Sequence, residues 1–287
     1  MRILITGAAG FIGSYLMNTF SQNETNAVFG LDNFSRGNLN RLTRWRDRYM
    51  CSTADITKPE SYSDYNGVQI IYHLAAQSRI RPSLLEPRET FETNVMGTVN
   101  MLELARRTGA HLVFASSSTA GGDVSSNPYA ASKAMGEELC RTYHKSYGTR
   151  VTIARLFNVY GPEQRNEGMY STVIGRFAEQ FRTKRPLSVT GDGSKKRDFV
   201  HVRDVVDGLA RIAAHSDKDA TTYDIGSGEN YSILEVAKMF QPDNIEFVSE
   251  RRGEDQETLA DLTKTKKKLL YYPKHSLPDY IQRIKKT

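Results

Sequence analysis

Tyr129 and Lys133 stand four residues apart in Asn127-Pro128-Tyr129-Ala130-Ala131-Ser132-Lys133. Asn127 is a good helix N-cap and Pro128 suits a first turn, so this spacing puts phenol and ammonium on one helical face. A free tyrosine titrates near ~10 and is a poor base at neutral pH. A neighbouring ammonium would favour the phenolate and make it a usable one. Upstream, the strand-like run His111–Ala115 ends in Ser116-Ser117-Ser118-Thr119. A serine at that edge can relay a proton between a substrate hydroxyl and Tyr129. Alone, a Tyr-x-x-x-Lys pair is an ordinary helix surface; its company gives it meaning.

That company begins at the N-terminus. Gly7-Ala8-Ala9-Gly10-Phe11-Ile12-Gly13 follows the short run Arg2–Thr6 and opens a helical segment, Phe11–Phe20. Glycines there permit a tight turn and let backbone amides approach a pyrophosphate, whose charge the helix N-terminus stabilises. Asp32 closes the next strand, Ala27–Leu31, 19 residues after Gly13. A carboxylate at that place binds ribose hydroxyls and repels a 2′-phosphate, which favours NAD over NADP despite Arg36 nearby.

These groups need a scaffold that brings strand ends to one edge. Strand-like segments at Ile70–Leu74, His111–Ala115 and Arg150–Leu156 alternate with helical ones. The longest helical stretch, Glu89 to Arg107, carries Phe91, Val95, Val99, Leu102 and Arg106 on one stripe, with Gly109 as its stop. Such alternation predicts an α/β fold, a Rossmann-like doubly wound parallel sheet. We expect an NAD-binding part over 1–155 and a smaller α/β substrate part over 156–287. In the latter, a helix over Val202–Ala214 precedes a strand near Tyr223–Ile225, and some segments should return to the first sheet.

Composition narrows the class. The chain has 287 residues, 39% hydrophobic and 25% charged, with no run of the ~20 apolar residues a membrane helix needs. The N-terminus reaches glycine too soon for a signal-peptide core. Cys51 and Cys140 are too few for a disulfide framework and lack metal-ligand spacing, so both read as buried thiols in a reducing cytoplasm and no metal is expected. The net charge of +6 suits an anionic ligand. Much of the excess, Lys264, Lys266, Lys267, Lys268, Lys285 and Lys286, reads as a solvated face. No recognition motif or aromatic-interleaved basic stretch points to nucleic acid.

Further stretches extend the pattern: His73-Leu74-Ala75-Ala76, Asn94-Val95-Met96-Gly97-Thr98, and Arg155-Leu156-Phe157-Asn158-Val159-Tyr160-Gly161-Pro162. Gly191-Asp192-Gly193, Arg197-Asp198-Phe199-Val200-His201-Val202 and Arg251-Arg252-Gly253-Glu254 follow. In this order, and with Leu31-Asp32-Asn33 and Ala54-Asp55-Ile56, they resemble the extended short-chain dehydrogenases/reductases of the nucleotide-sugar epimerase/dehydratase family along nearly the whole chain. The resemblance implies NAD as cofactor, a nucleotide-sugar substrate, UDP-sugars foremost, and a homodimer through the 89–107 and 129–147 helices. Met101 and Leu104, off the main stripe, would fit that second buried face or packing within the subunit. By the same likeness Asn33 joins Asp32 on the cofactor, Asp55 and Ile56 flank the adenine, and Leu74, Ala75, Ala76 and Asn94 line the cofactor cleft. Phe157 would sit by the nicotinamide. Ser117 becomes the relay hydroxyl beside Ser118, while Asn158, Arg197 and Arg251 hold the diphosphate and Ser188 and Thr190 edge the base. Thr258 would gate the C2 substituent.

The chain departs from the family in two places. Ala120-Gly121-Gly122 replaces the usual Val-Tyr-Gly, removing an aromatic wall, and the loop from Gly122 to Tyr129 is short, so Ser117 and Tyr129 lie 12 positions apart. The resemblance also orders the reactions. Ser118-Thr119 stand where 4,6-dehydratases carry Asp-Glu and decarboxylases a glutamate, and neither cysteine matches the 3,5-epimerising reductases. What remains suffices for 4-epimerisation of a UDP-hexose or UDP-N-acetylhexosamine. The alternatives are a UDP-glucuronate 4-epimerase, with Arg79 and Arg81 meeting the carboxylate, a nucleotide-sugar dehydratase, and, more distantly, a non-catalytic NAD-binding protein.

Overall fold

The computed structural model describes residues 1–287 apart from 43–48, 63, 64, 167, 169, 242, 251, 252 and 287. Strand β1 (Arg2–Thr6) leads through the glycine turn into helix α1 (Phe11–Ser21), then β2 (Ala27–Asp32), β3 (Met50–Thr53) and β4 (Ile70–His73). Helices α2 (Ile80–Leu85), α3 (Pro87–Phe91) and α4 (Gly97–Thr108) precede β5 (His111–Ser117), α5 (Pro128–Tyr147) and β6 (Val151–Leu156). The C-terminal part adds β7 (Asn158–Tyr160), α6 (Val173–Arg182), β8 (Leu187–Thr190), β9 (Lys196–His201), α7 (Val202–Ala214) and β10 (Asp219–Ile225). It ends with β11 (Asn230–Ser232), α8 (Ile233–Phe240), β12 (Ile245–Val248), α9 (Thr263–Leu269) and α10 (Leu277–Lys285).

Among the described residues, seven parallel strands form the main sheet in the order β3-β2-β1-β4-β5-β6-β10. Strand residues alternate between its faces. Ile3 and Ile5 pack with Leu16, Met17, Val205 and Leu209 on one side, and Leu4 packs with Leu102, Phe114 and Cys140 on the other. The sheet is therefore covered twice, which is why its strands read as near-continuous apolar runs. A third core, with Tyr160, Phe177, Val189, Phe199 and Phe240, binds the smaller sheets β11-β9-β7 and β12-β8 to α6, α8 and α10.

The long helix differs from its expected form. Residues 87–108 fold as α3, a π-helical turn over Glu92–Met96, and α4. The wide turn rotates the register, so Asn94, Thr98, Met101, Leu102 and Ala105 face inward while Arg106 is exposed. Met101 and Leu104 are buried within this subunit, in the core beneath the sheet, and offer no second face. Cys140 is buried, but Cys51 is only half-buried, on β3, the edge strand of the sheet among the described residues. The lysines of α9 are exposed.

Candidate functional site

The strand order reverses between β1 and β4, and a crevice opens there at the carboxyl ends of the strands. The glycine turn forms its floor. Gly7 has φ +69°, and a Cβ on it would stand 2.9 Å from the Ala75 amide nitrogen. On Gly13 a Cβ would come within 2.1 Å of the Gly7 carbonyl oxygen, so α1 starts pressed against the turn. Its N-cap, Gly10, has no side chain to occupy the first amides. They carry the positive end of the helix and suit an anion. At the end of β2 the Asp32 carboxylate accepts the Ala9 N–H at 2.9 Å and the Phe34 N–H at 2.8 Å. Burial pushes Asp55 upward, but bonds from the Thr57 N–H, its hydroxyl and Asn33 outweigh that and hold the carboxyl below its ordinary range.

Two strands away lies the chemical half. Asn127 caps α5 by accepting the Ala130 N–H at 2.8 Å, with Pro128 in the first turn. The Tyr129 N–H donates to Ser83 Oγ at 3.1 Å, docking α2 on the start of α5. Thr119 Oγ1 donates to Ser117 Oγ at 3.0 Å, which leaves the serine's own proton for another acceptor in the cleft that it lines with Tyr129. Lys133 is buried, and its Nζ donates to the Ala115 carbonyl at 2.8 Å. Burial lowers its pKa to about 8, against the pull of Cys140 and Glu137. Burial also raises the Tyr129 phenol, and the Ser117 bond and the Arg79 charge pull it back. One turn on, Glu137 is 2% exposed and takes a two-pronged bond from Arg155, at 2.7 and 2.8 Å, and the Ser116 hydroxyl at 2.7 Å.

Both halves line one cleft of about 1050 Å³. Gly7, Gly10, Phe11, Ile12 and Gly13 line it with Asp32, Asn33, Asp55 and Ile56. Leu74, Ala75, Ala76 and Phe157 continue its wall toward Ser117, Ser118, Tyr129 and Lys133. The C-terminal part adds Asn158, Thr190, Arg197 and Thr258. Asn158 Nδ2 donates to the Asp198 carbonyl at 3.1 Å and to Thr258 Oγ1 at 3.4 Å, and Arg197 Nη2 lies 3.4 Å from Glu254.

A model of the NAD dependent epimerase/dehydratase family matches residues 3–226. The chain belongs to this family. It is 33% identical to UDP-glucuronic acid decarboxylase 6 of Arabidopsis thaliana, over 96% of this chain and 85% of that protein. Two solved structures overlay it along its full length and cover 98% of their own chains. One is the UDP-glucose 4-epimerase of Thermotoga maritima with UDP-glucose (TM-score 0.91, 27% identity). The other is the UDP-glucuronic acid 4-epimerase of Bacillus cereus in complex with UDP-glucuronic acid and NAD (TM-score 0.90, 28% identity).

The protein is thus an enzyme of the NAD-dependent epimerase/dehydratase family, and NAD is its cofactor. The cradle fits that dinucleotide: a turn with no room for side chains, uncapped helix amides for the pyrophosphate, and a fixed carboxylate for a ribose. Two residues singled out in the sequence lie elsewhere. Asn94 sits behind the wall, where its amide donates to the Gln77 carbonyl at 3.0 Å and Ser132 Oγ at 2.9 Å while its oxygen accepts the Gln77 N–H. It clamps the segment after β4 to the catalytic helix. Ser188 turns its hydroxyl to Gln180 on α6 and is not among the lining residues. Arg251 lies outside the described residues.

The structure also shows family-site residues that spacing did not disclose. Thr119 orients Ser117. His73 is buried between Thr6 Oγ1 at 2.8 Å and Thr98 Oγ1 at 3.1 Å. Thr98 spends its proton on the Asn94 carbonyl, so His73 Nε2 is the protonated nitrogen and Nδ1 accepts from Thr6. Burial lowers its pKa to about 3, and it stays neutral. Over the cofactor side, Arg36 and Arg165 lie 4.7 and 5.7 Å from the Tyr170 ring centre, and Arg165 bonds the Arg36 carbonyl. His73 and Thr119 stand in stretches quoted above and Arg36 beside the Asp32 strand end, but none was given these contacts; Arg165 meets Arg36 across 129 positions.

Proposed function

We propose that the protein is an NAD-dependent nucleotide-sugar 4-epimerase, inverting C4 of a UDP-hexose or UDP-N-acetylhexosamine through a transient 4-keto sugar. The observation that carries this reading is that Ser117, oriented by the Thr119 hydroxyl at 3.0 Å, lines with Tyr129 and Lys133 the cleft that also holds the glycine cradle. Tyr129 takes the C4 hydroxyl proton through Ser117, and the Lys133 ammonium stabilises the phenolate. When bound, NAD supplies the reversible hydride acceptor that inversion needs. Asn158 and Arg197 hold the diphosphate, a planar guanidinium matching phosphate oxygens. The sugar can then turn over within the cleft, beside a 120–122 segment that carries no aromatic side chain. Ser118 and Thr119 bring hydroxyls and no carboxylate, so the site favours return of hydride over loss of water. In this reading residues 1–155 take most of the cofactor and 156–287 the sugar nucleotide. The enzyme is cytoplasmic and dimeric through the 89–107 and 129–147 helices, where Met96, Met135 and Tyr147 are exposed.

A uronic acid substrate is the second reading. It is favoured by the likeness to proteins named for UDP-glucuronic acid and by Arg79 and Arg81 in the cleft wall. Incubation with a panel of nucleotide sugars, read by chromatography with mass spectrometry, separates the readings. A new peak of unchanged mass from a neutral sugar is the expected result. A product lighter by water or carbon dioxide, or inversion of a uronate alone, overturns it. Tyr129→Phe should retain NAD and lose about a thousandfold in turnover; retained turnover would remove the phenol from the mechanism.

A further inference from the structure

We propose that Asp255 is a specificity-determining residue of the cleft: its carboxylate accepts hydrogen bonds from the hydroxyls of a neutral hexose, and its charge turns a uronate away. This inference rests on the nucleotide-sugar reading above and deepens it by naming a group that chooses among sugars.

Asp255 belongs to the 253–258 segment, which joins the catalytic helix to the C-terminal part. At one end the Asn127 amide, on the cap of α5, donates to the Gly253 carbonyl at 2.9 Å. At the other, the Lys196 N–H donates to the Gln256 carbonyl at 2.9 Å and the Thr258 N–H to the Lys196 carbonyl at 3.1 Å, so the segment runs along β9. The Arg197 guanidinium brackets Asp255, with one nitrogen 3.4 Å from the Gln256 carbonyl and another 3.4 Å from the Glu254 carboxylate. The Asp255 carboxylate lies against the turn after β5, where a Cβ on Gly122 would stand 3.0 Å from its Oδ1. That turn carries Ser117, and the Gly122 N–H closes it onto the Thr119 carbonyl at 3.3 Å.

Asp255 lines the cleft together with Ser117, Tyr129 and Arg197. A hexose whose C4 meets Ser117 and Tyr129 and whose diphosphate meets Arg197 has its ring between these groups. Asp255 is anchored between the same two. The carboxylates at the cofactor end, Asp32 and Asp55, are tied down by backbone N–H groups. Asp255 differs: among the described residues neither of its oxygens accepts a hydrogen bond. An ionised carboxylate offers about four acceptor positions, and its partial burial, which raises its pKa, makes empty ones costly. Sugar hydroxyls are donors that fill them. A uronate would instead set a second carboxylate beside the first, and such a like-charge contact selects by repulsion.

The test measures binding by titration calorimetry to the NAD-loaded Tyr129→Phe protein, so that turnover does not enter the affinity. The probes are UDP, UDP-glucose, UDP-N-acetylglucosamine and UDP-glucuronic acid. We expect Asp255→Ala to weaken the preferred neutral sugar about tenfold, to leave UDP unchanged and to tighten UDP-glucuronic acid. Asp255→Asn, which keeps an acceptor without the charge, should recover part of the neutral-sugar affinity and still tighten the uronate. Gly122→Ala pushes the carboxylate aside at a φ of −100° that alanine tolerates, and should move the same ratio in the same direction. Two neutral sugars that bind the parent no more tightly than UDP would overturn the proposal. So would an unmoved ratio of neutral sugar to UDP in Asp255→Ala, or an equal loss of UDP and UDP-sugar, which would hand Asp255 to the nucleotide. Selection of a neutral sugar that depends on Asp255, in a protein whose Tyr129 is intact and which forms no 4-epimer, would support the proposal and defeat the epimerase reading. A 4-epimer formed equally well by Asp255→Ala would do the reverse.

Discussion

The turn after β1 and the turn after β5 lie at the same edge of the same sheet, yet they are built on opposite principles. The first works by having no side chains. A Cβ on Gly13 would sit inside the Gly7 carbonyl, and the surface that remains is backbone N–H aimed at a cleft. The second works through buried side chains: Ser116 and Arg155 meet on Glu137, Lys133 reaches Ala115, and Thr119 orients Ser117. A backbone-built site recognises what all dinucleotides share and tolerates little change. A side-chain-built site can be retuned for another substrate without disturbing the cofactor.

That contrast can be broken from either end. Glu137→Ala should have the largest effect, because it leaves Arg155 and Arg141 without their buried partner. About 3 kcal/mol of stability should be lost, read by calorimetry, with NAD content retained in the protein that folds. If Glu137→Ala melts like the parent, the catalytic turn does not depend on buried charge. Gly13→Ala should cost about 2 kcal/mol through overpacking and, unlike the first variant, strip NAD from the purified protein. Retained NAD would show that the cradle can give. Gly109→Ala is the matched control. Its φ is +72°, but a Cβ there meets nothing within 4 Å, so only the backbone penalty of about 1 kcal/mol remains and NAD should stay.

The smallest effect at neutral pH belongs to the buried histidines. Burial lowers His73 and His111 to about 3 and His201 to about 4, well below the ordinary 6.5. A group with a depressed folded pKa contributes stability that is present above its unfolded value and lost as pH falls toward the folded one. The thermal midpoint should therefore begin to drop near pH 6.5. A second decline should begin below about pH 4.5, where the glutamate of the unfolded chain takes up a proton that the folded Glu137, held low by Arg155 and Ser116 against its burial, does not yet accept. A midpoint flat down to pH 5 would mean that these histidines protonate without cost.

The same contrast explains what could be read in advance. β1 and α7 occupy the spans expected from their patterns, Arg2–Thr6 and Val202–Ala214, because strand and helix periodicity are local. The 89–107 stripe failed for a physical reason: one π-helical turn at Glu92–Met96 shifts every later side chain around the axis. Asn94, expected in the cleft, became a clamp by that same rotation, with its amide committed to Gln77 and Ser132. Ser188 faces α6 because Gln180, eight residues earlier, claims its hydroxyl.

Local spacing by itself determined the glycine cradle, the Asp32 terminus of β2, the Tyr129–Lys133 pair and the doubly wound class of the fold. Each depends on residues within a turn or two of one another, where backbone geometry leaves few choices. Only the tertiary structure decided what is docked on the start of α5. Ser83 and Gly253 are brought there by sheet order and helix docking, contacts between residues up to 126 positions apart that no local period encodes.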